Sequence, residues 1–84
     1  MNIKIQNENN FYQTADMSLA AALYLFYPLE AIDKQNPRKA VFCFKRDDTL
    51  DEIVENFWRG ALKIDPQLYF NALRAMKSRL YGER

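Results

Sequence analysis

Histidine is absent from this chain of 84 residues, which also has only one cysteine and two glycines. The lack of histidine removes the commonest general base at neutral pH and the commonest transition-metal ligand. One cysteine without a histidine cannot form a Cys/His nucleophile pair, and the motif Gly-x-Ser-x-Gly does not occur. The two glycines, Gly60 and Gly82, are too far apart for a phosphate-binding loop. We therefore expect no enzymatic activity, no metal ion and no cofactor.

A long apolar run and a leader-like start are also missing. The longest apolar run covers residues 19–29, which is far short of a membrane span, and no charged start precedes an apolar stretch. Cys43 has no second cysteine with which to form an intramolecular disulfide, and this fits a reducing compartment. We predict a cytoplasmic protein with no membrane partner, in which Cys43 is a small, buried apolar residue of the core.

The residues that are present favour a single folded unit. Apolar residues make up 49% of the chain and aromatic residues 14%, which is ample for a packed core and argues against disorder. A chain of this length forms one domain. Because residues 6–10 are all polar, we predict a flexible tail at residues 1–10 and a single globular domain at residues 11–84.

Local patterns predict the element order β-α-β-β-α-α. The predicted elements are a short strand at residues 11–14, a helix at 17–27, a β-hairpin with strands at 29–33 and 39–45, and helices that begin at Thr49 and Pro66. The strand at 39–45 is apolar on both faces, so we expect it to be central or covered on both sides. The predicted fold is a small α+β domain with a mixed or antiparallel three-stranded sheet and the helices packed on one face.

Capping signals mark the starts of the three helices. Asp16 is a good N-cap for the first helix, and Asp65 followed by Pro66 suits the start of the last one. Residues 49–52, Thr-Leu-Asp-Glu, have the form of a capping box, which predicts that the second helix begins there. Gly60 is expected to end that helix.

The second helix carries an apolar stripe at helical spacing. Its members are Leu50, Ile53, Val54, Phe57 and Trp58. Phe57 and Trp58 could instead form a pair that stacks on a ligand, but their position in the stripe favours the core.

One cluster of carboxylates precedes and opens the second helix. It consists of Asp47, Asp48, Asp51 and Glu52. Such groups could hold Mg²⁺ in a nuclease-like site, but the spacing is not specific for a metal. The helix start and the capping box already account for most of these residues, so we interpret the cluster as structural.

The last helix has two faces of different composition. One face repeats apolar residues and is expected to join the core; it consists of Tyr69, Ala72, Leu73, Met76 and Leu80. The other, called the aromatic-basic stripe from here on, consists of Phe70, Arg74, Lys77 and Tyr81. Such a stripe could track a phosphate backbone while its rings stack on bases. The favoured interpretation is that its rings extend the edge of the core and its cations reach out to water, since basic residues also suit the last turns of a helix.

Four segments together resemble a family of short bacterial and phage proteins catalogued as a domain of unknown function. They are Phe11–Asp16, Leu19–Ala21, Asn36–Phe44 and Ile64–Tyr81. The resemblance covers about residues 11–81 and rests on an aromatic-Thr-Asp start, a Leu-Ala-Ala helix, an aromatic-rich strand and an Asp-Pro helix. It implies a fold and an association with phage or mobile elements, and it implies no catalytic residue.

Two functions remain open, and both are non-enzymatic. The formal net charge of +1 gives no overall basic field, so a nucleic-acid partner would have to be bound by local basic surfaces. The first hypothesis is a sequence-independent nucleic-acid-binding accessory or regulatory protein. Its candidate residues are Lys34, Arg38 and Lys39 at the hairpin tip, then Lys45 and Arg46, and Phe70, Arg74, Lys77, Arg79 and Tyr81 on the last helix. The second is a protein-interaction module, either a homodimer or an inhibitor of a larger protein, with Phe70, Tyr81 and either Tyr69 or Trp58 as aromatic anchors.

Overall fold

The computed structural model describes residues 10–36 and 38–82. The predicted flexible tail therefore lies outside the described residues except for Asn10, whose carbonyl oxygen accepts a hydrogen bond from the Arg46 N–H at 2.7 Å.

Three strands form one antiparallel sheet in the order β1-β3-β2. They are β1 (Phe11–Thr14), β2 (Leu29–Asp33) and β3 (Val41–Lys45). The predicted central position of β3 is confirmed. A strand that is apolar on both faces suits the middle of a sheet, where it is paired on both edges. Between Leu29 and Ala31 the register of β2 shifts by a bulge.

Three helices complete the predicted order and confirm a small α+β fold. They are α1 (Met17–Tyr24), α2 (Asp48–Arg59) and α3 (Pro66–Tyr81). The first helix is shorter than the predicted span of residues 17–27. After Tyr24 the chain turns, and the N–H groups of Phe26 and Tyr27 both donate to the Leu23 carbonyl oxygen at 2.9 and 2.8 Å. Pro28 disfavours helical geometry in the residue before it, so the helix cannot continue.

The core lies between the three helices and one face of the sheet. Its largest fully buried side chains are Phe42, Phe44, Leu19, Leu23, Leu50 and Met76. Helix α1 is the central element, because Leu19 to Leu23 are all completely buried and the helix contacts α2, α3, β1 and β3. Helices packed on one face of the sheet are therefore confirmed.

Cys43 is buried as predicted, but it lies on the other face of the sheet. It alternates with Phe42 and Phe44 along β3 and is the register partner of Gln13 on β1. The Gln13 Nε2 atom lies 3.6 Å from its sulfur and donates to it. Cys43 is thus shielded by strand neighbours and does not belong to the core between sheet and helices.

The start of α2 corrects the predicted capping box. Asp47, not Thr49, is the N-cap, and its Oδ1 accepts a hydrogen bond from the Leu50 N–H at 2.8 Å. The same oxygen accepts a hydrogen bond from the Tyr27 hydroxyl at 2.6 Å. The N-cap lies two residues earlier than predicted, because the hydrogen bond from Tyr27 holds the Asp47 carboxylate where it accepts from the free N–H groups. At the other end Gly60 closes α2 in a left-handed conformation, as predicted.

Acid should weaken the fold through Asp47. The hydrogen bond from Tyr27, followed by that from the Leu50 N–H, lowers the pKa of Asp47 below its ordinary value of 3.8. A carboxyl with a lowered folded-state pKa stabilises the fold above its ordinary pKa, and this contribution is lost as the pH falls through the lowered value. We expect Asp47→Asn to reduce the melting temperature near neutral pH. We also expect the melting temperature of this variant to fall less than that of the unsubstituted protein when the pH is lowered from about 6 to about 2.

Thermal denaturation followed by circular dichroism over this pH range checks the expectation. Asp48→Asn is the matched control, because it removes the neighbouring carboxylate, which caps nothing. An equal effect of the two substitutions would contradict the role given to Asp47.

Candidate functional site

The start of α3 is fixed by its cap and by one contact to α1. The Asp65 Oδ2 accepts a hydrogen bond from the Leu68 N–H at 3.0 Å, and Pro66 occupies the first helical position, as predicted. The Tyr69 hydroxyl donates to the Ser18 carbonyl oxygen at 2.9 Å. This contact joins the first turn of α3 to the first turn of α1.

The rotation of α3 about its axis follows from its buried face. Ala72 and Met76 are buried, and Tyr69, Leu73 and Leu80 pack against the core with part of each side chain exposed. The predicted core face is therefore confirmed. Because this face is held against the core, the residues about 100° around the helix must lie outside it.

The aromatic-basic stripe is exposed along its whole length. Phe70 is 58% exposed and Tyr81 is 75% exposed, and Arg74 and Lys77 are exposed between them. By helical geometry the four side chains lie within about 60° of one another around the axis. The interpretation in which the rings extend the core edge is therefore wrong.

The two cations of the stripe have no carboxylate partner among the described residues. Arg74 Nη1 donates to the Asn71 Oδ1 at 3.2 Å, which orients the guanidinium without neutralising it. The two ion pairs found in the described part of the chain lie elsewhere, at Arg46–Asp51 and Arg59–Glu55. The charges of Arg74 and Lys77 are thus available to an external anion.

Arg79 is exposed but does not belong to this stripe. Helical geometry places it roughly 140–160° around the axis from Arg74 and Lys77, on the opposite flank of the helix. A flat or linear ligand on the stripe would not reach its guanidinium directly.

The basic tip (Lys34, Arg38 and Lys39) is exposed in the connection between β2 and β3. The Asp33 Oδ1 accepts from the Gln35 N–H at 3.0 Å, and the Asn36 Oδ1 accepts from the Arg38 N–H at 2.9 Å. These hydrogen bonds, each between residues two apart in sequence, fix the conformation of the described part of the turn.

The basic tip and the aromatic-basic stripe lie on different elements, the first between β2 and β3 and the second on α3. Among residues 10–36 and 38–82 no hydrogen bond or ion pair joins them. Of the two other candidate cations, Lys45 is exposed, and Arg46 is engaged with Asp51 at 3.0 Å.

The acidic cluster is tied into local structure. Asp47 caps α2 and accepts from Tyr27, and Asp51 pairs with Arg46. In the part of the chain that the structure describes, no three residues of the types His, Cys, Asp and Glu are grouped so that they could hold a metal ion.

The prediction that Trp58 lies in the core is wrong. It is 61% exposed, whereas the apolar stripe of α2 predicted a core position. Helical geometry puts it at the margin of that stripe, about 100° from Phe57, and its ring packs edge-on against the Phe57 ring at 5.0 Å between centroids. The core ends at Phe57, which is partly buried.

An open groove of about 420 Å³ lies between the end of α2 and the start of α3. It is lined by Phe57, Gly60, Leu62, Ile64, Pro66 and Tyr69. This groove was not predicted from the sequence, although Leu62 and Ile64 alternate with polar or small residues in the connection, which indicates one apolar side.

No helix among the described residues has both the length and the apolar character needed to cross a membrane.

Comparisons with known proteins bear on the family of the chain. Searches of curated proteins and of solved structures found no significant match. A family model described as Domain of unknown function (DUF5659) matches residues 9–82, a range close to that of the resemblance noted above. The chain therefore belongs to this family, whose description assigns no activity.

Proposed function

We propose that this protein is a non-enzymatic accessory or regulatory protein that binds nucleic acid without sequence preference. The observation that carries the proposal is the exposed aromatic-basic stripe of α3. Its two cations have no carboxylate partner in the described residues, and an aromatic ring stands exposed at each end. Such a row of positive charge and ring faces suits a phosphate backbone that carries bases.

The absence of base specificity follows from the kind of groups that the stripe offers. Sequence is read by hydrogen bonds to base edges, whereas phosphate contacts and ring stacking are indifferent to the base. The stripe presents two cations and two rings, and these groups can contact any phosphate and any base face. We further propose that the protein acts in the cytoplasm of bacteria in connection with phage or mobile elements, on the strength of the family resemblance and of the single buried cysteine.

Salt dependence tests the proposal directly. If Arg74 and Lys77 each neutralise one phosphate, raising the salt tenfold, for example from about 20 to about 200 mM, should weaken binding roughly 25- to 60-fold. Fluorescence anisotropy of a labelled oligonucleotide measures this. Binding that is independent of salt, or no binding at the lowest salt, would contradict the proposal.

A second candidate function is a protein-interaction module, and exposed Trp58 favours it. Tryptophan is enriched among the residues that dominate binding energy, and Trp58 follows Phe57, which lines the apolar groove. If this surface forms a homodimer, sedimentation should give twice the mass of the chain and Trp58→Ala should return it to a monomer. A monomer at every concentration would remove the homodimer form of this candidate.

A further inference from the structure

We infer that the aromatic-basic stripe takes single-stranded rather than duplex nucleic acid; this inference rests on the proposed function. Single-stranded nucleic acid offers two kinds of group, phosphates and unpaired base faces, and the stripe offers a counterpart to each.

The order of side chains along α3 matches such a strand. The sequence of groups is ring, cation, cation, ring, at separations of four, three and four residues. Phe70 and Tyr81 are therefore about 16 Å apart along the helix axis, with both cations between them. A single strand laid along the helix can place one base on each ring while the intervening phosphates face Arg74 and Lys77.

The exposure of the two rings argues against duplex as the preferred ligand. In a duplex the base faces are covered by neighbouring bases, so exposed rings gain contact only by unstacking a base step, which costs free energy. A duplex would thus use Arg74 and Lys77 and leave the rings of Phe70 and Tyr81 in water. Unpaired bases would cover both rings without that cost.

The shape of the surface points the same way. The stripe is the outer side of one helix, and its core-facing neighbours Leu73 and Leu80 are held against the body of the protein. The four groups of the stripe lie in one line about 60° wide around the axis of α3, which suits contact with one strand.

The inference is tested with three labelled probes of equal length: oligo(dT), oligo(U) and a mixed-sequence DNA duplex. We expect at least one of the two single strands to bind more tightly than the duplex at equal salt. The oligo(dT) and oligo(U) arms distinguish DNA from RNA as the source of the strand, and either or both satisfy the inference.

The decisive variant is Phe70→Ala with Tyr81→Ala, which removes both rings and keeps every charge. Affinity for the single strands should fall tenfold or more, because stacking on one ring contributes roughly a five-fold to hundred-fold gain. Affinity for the duplex should change less than about twofold, since phosphate contacts are intact. Phe26→Ala is the matched control, because it removes a ring that is 50% exposed elsewhere on the protein, and it should leave all three affinities unchanged.

The outcomes separate the inference from the proposed function. Duplex binding that equals or exceeds single-strand binding, or an unchanged single-strand affinity in the double alanine variant, would overturn the inference while the proposed function stands. Failure of all three probes to bind at low salt would overturn both. Circular dichroism of the double variant confirms that it is folded, which its exposed positions lead us to expect.

Discussion

Replacing Phe44 with alanine is expected to remove a large part of the protein's free energy of unfolding. Phe44 is completely buried on the central strand, opposite Tyr12 on one neighbour and Leu29 on the other. Truncating a buried phenylalanine costs about 3–5 kcal/mol, because it loses apolar burial and leaves a cavity. A chain of this length has a total stability of roughly 4–13 kcal/mol. Urea denaturation followed by circular dichroism measures the loss.

The matched control is Phe70→Ala, which makes the same chemical change on an exposed residue. Surface substitutions of this kind usually alter the free energy of unfolding by about 0.5 kcal/mol or less. If both substitutions lowered the free energy of unfolding by similar amounts, Phe70 would have to be packed. The conclusion that the aromatic-basic stripe is exposed would then be wrong.

The second large effect is expected from charge reversal at Arg74→Glu with Lys77→Glu. The double substitution removes two cations from the stripe and places two anions beside the incoming phosphates. Because like charges repel and no counterion is released on binding, affinity for nucleic acid should fall below detection at low salt. Both residues are exposed and lack an ion pair in the described residues, so the fold should tolerate the change. Fluorescence anisotropy gives the affinity and circular dichroism the integrity of the fold.

A control with the same total charge separates a local effect from a general one. Lys34→Glu with Lys39→Glu on the basic tip also replaces two cations by two anions. Both double variants therefore change the formal net charge from +1 to −3. We expect the variant on the tip to weaken binding far less than the variant on the stripe, because the tip lies on a different element and carries no aromatic ring. Equal losses would show that net charge, not the stripe, governs binding.

Features decided by neighbours along the chain were predictable from the sequence. The apolar run of β3 indicated a central strand, and the Asp65-Pro66 pair and Gly60 marked helix ends whose chemistry is local. The start of α2 was missed because Asp47 and Thr49 both fit the N-cap. The choice depends on a hydrogen bond from Tyr27, which is 20 residues away in sequence.

Features decided by the extent of the core were not predictable. Trp58 and Phe57 are neighbours in one apolar stripe. Phe57 is partly buried and Trp58 is exposed, because the packing of other elements against α2 ends between them. The same holds for Phe70 and Tyr81. The spacing of α3 put them beside the core face, but their exposure depends on whether another element covers that flank.

The central claim is that the aromatic-basic stripe is the surface on which nucleic acid binds. The most direct measurement is a titration of isotopically labelled protein with an unlabelled single-stranded oligonucleotide, followed by two-dimensional amide NMR. We predict that chemical-shift changes concentrate at residues 70–81 and are small at Trp58 and at the basic tip. Changes centred on the groove or on the tip, or no changes at saturating oligonucleotide, would contradict the claim.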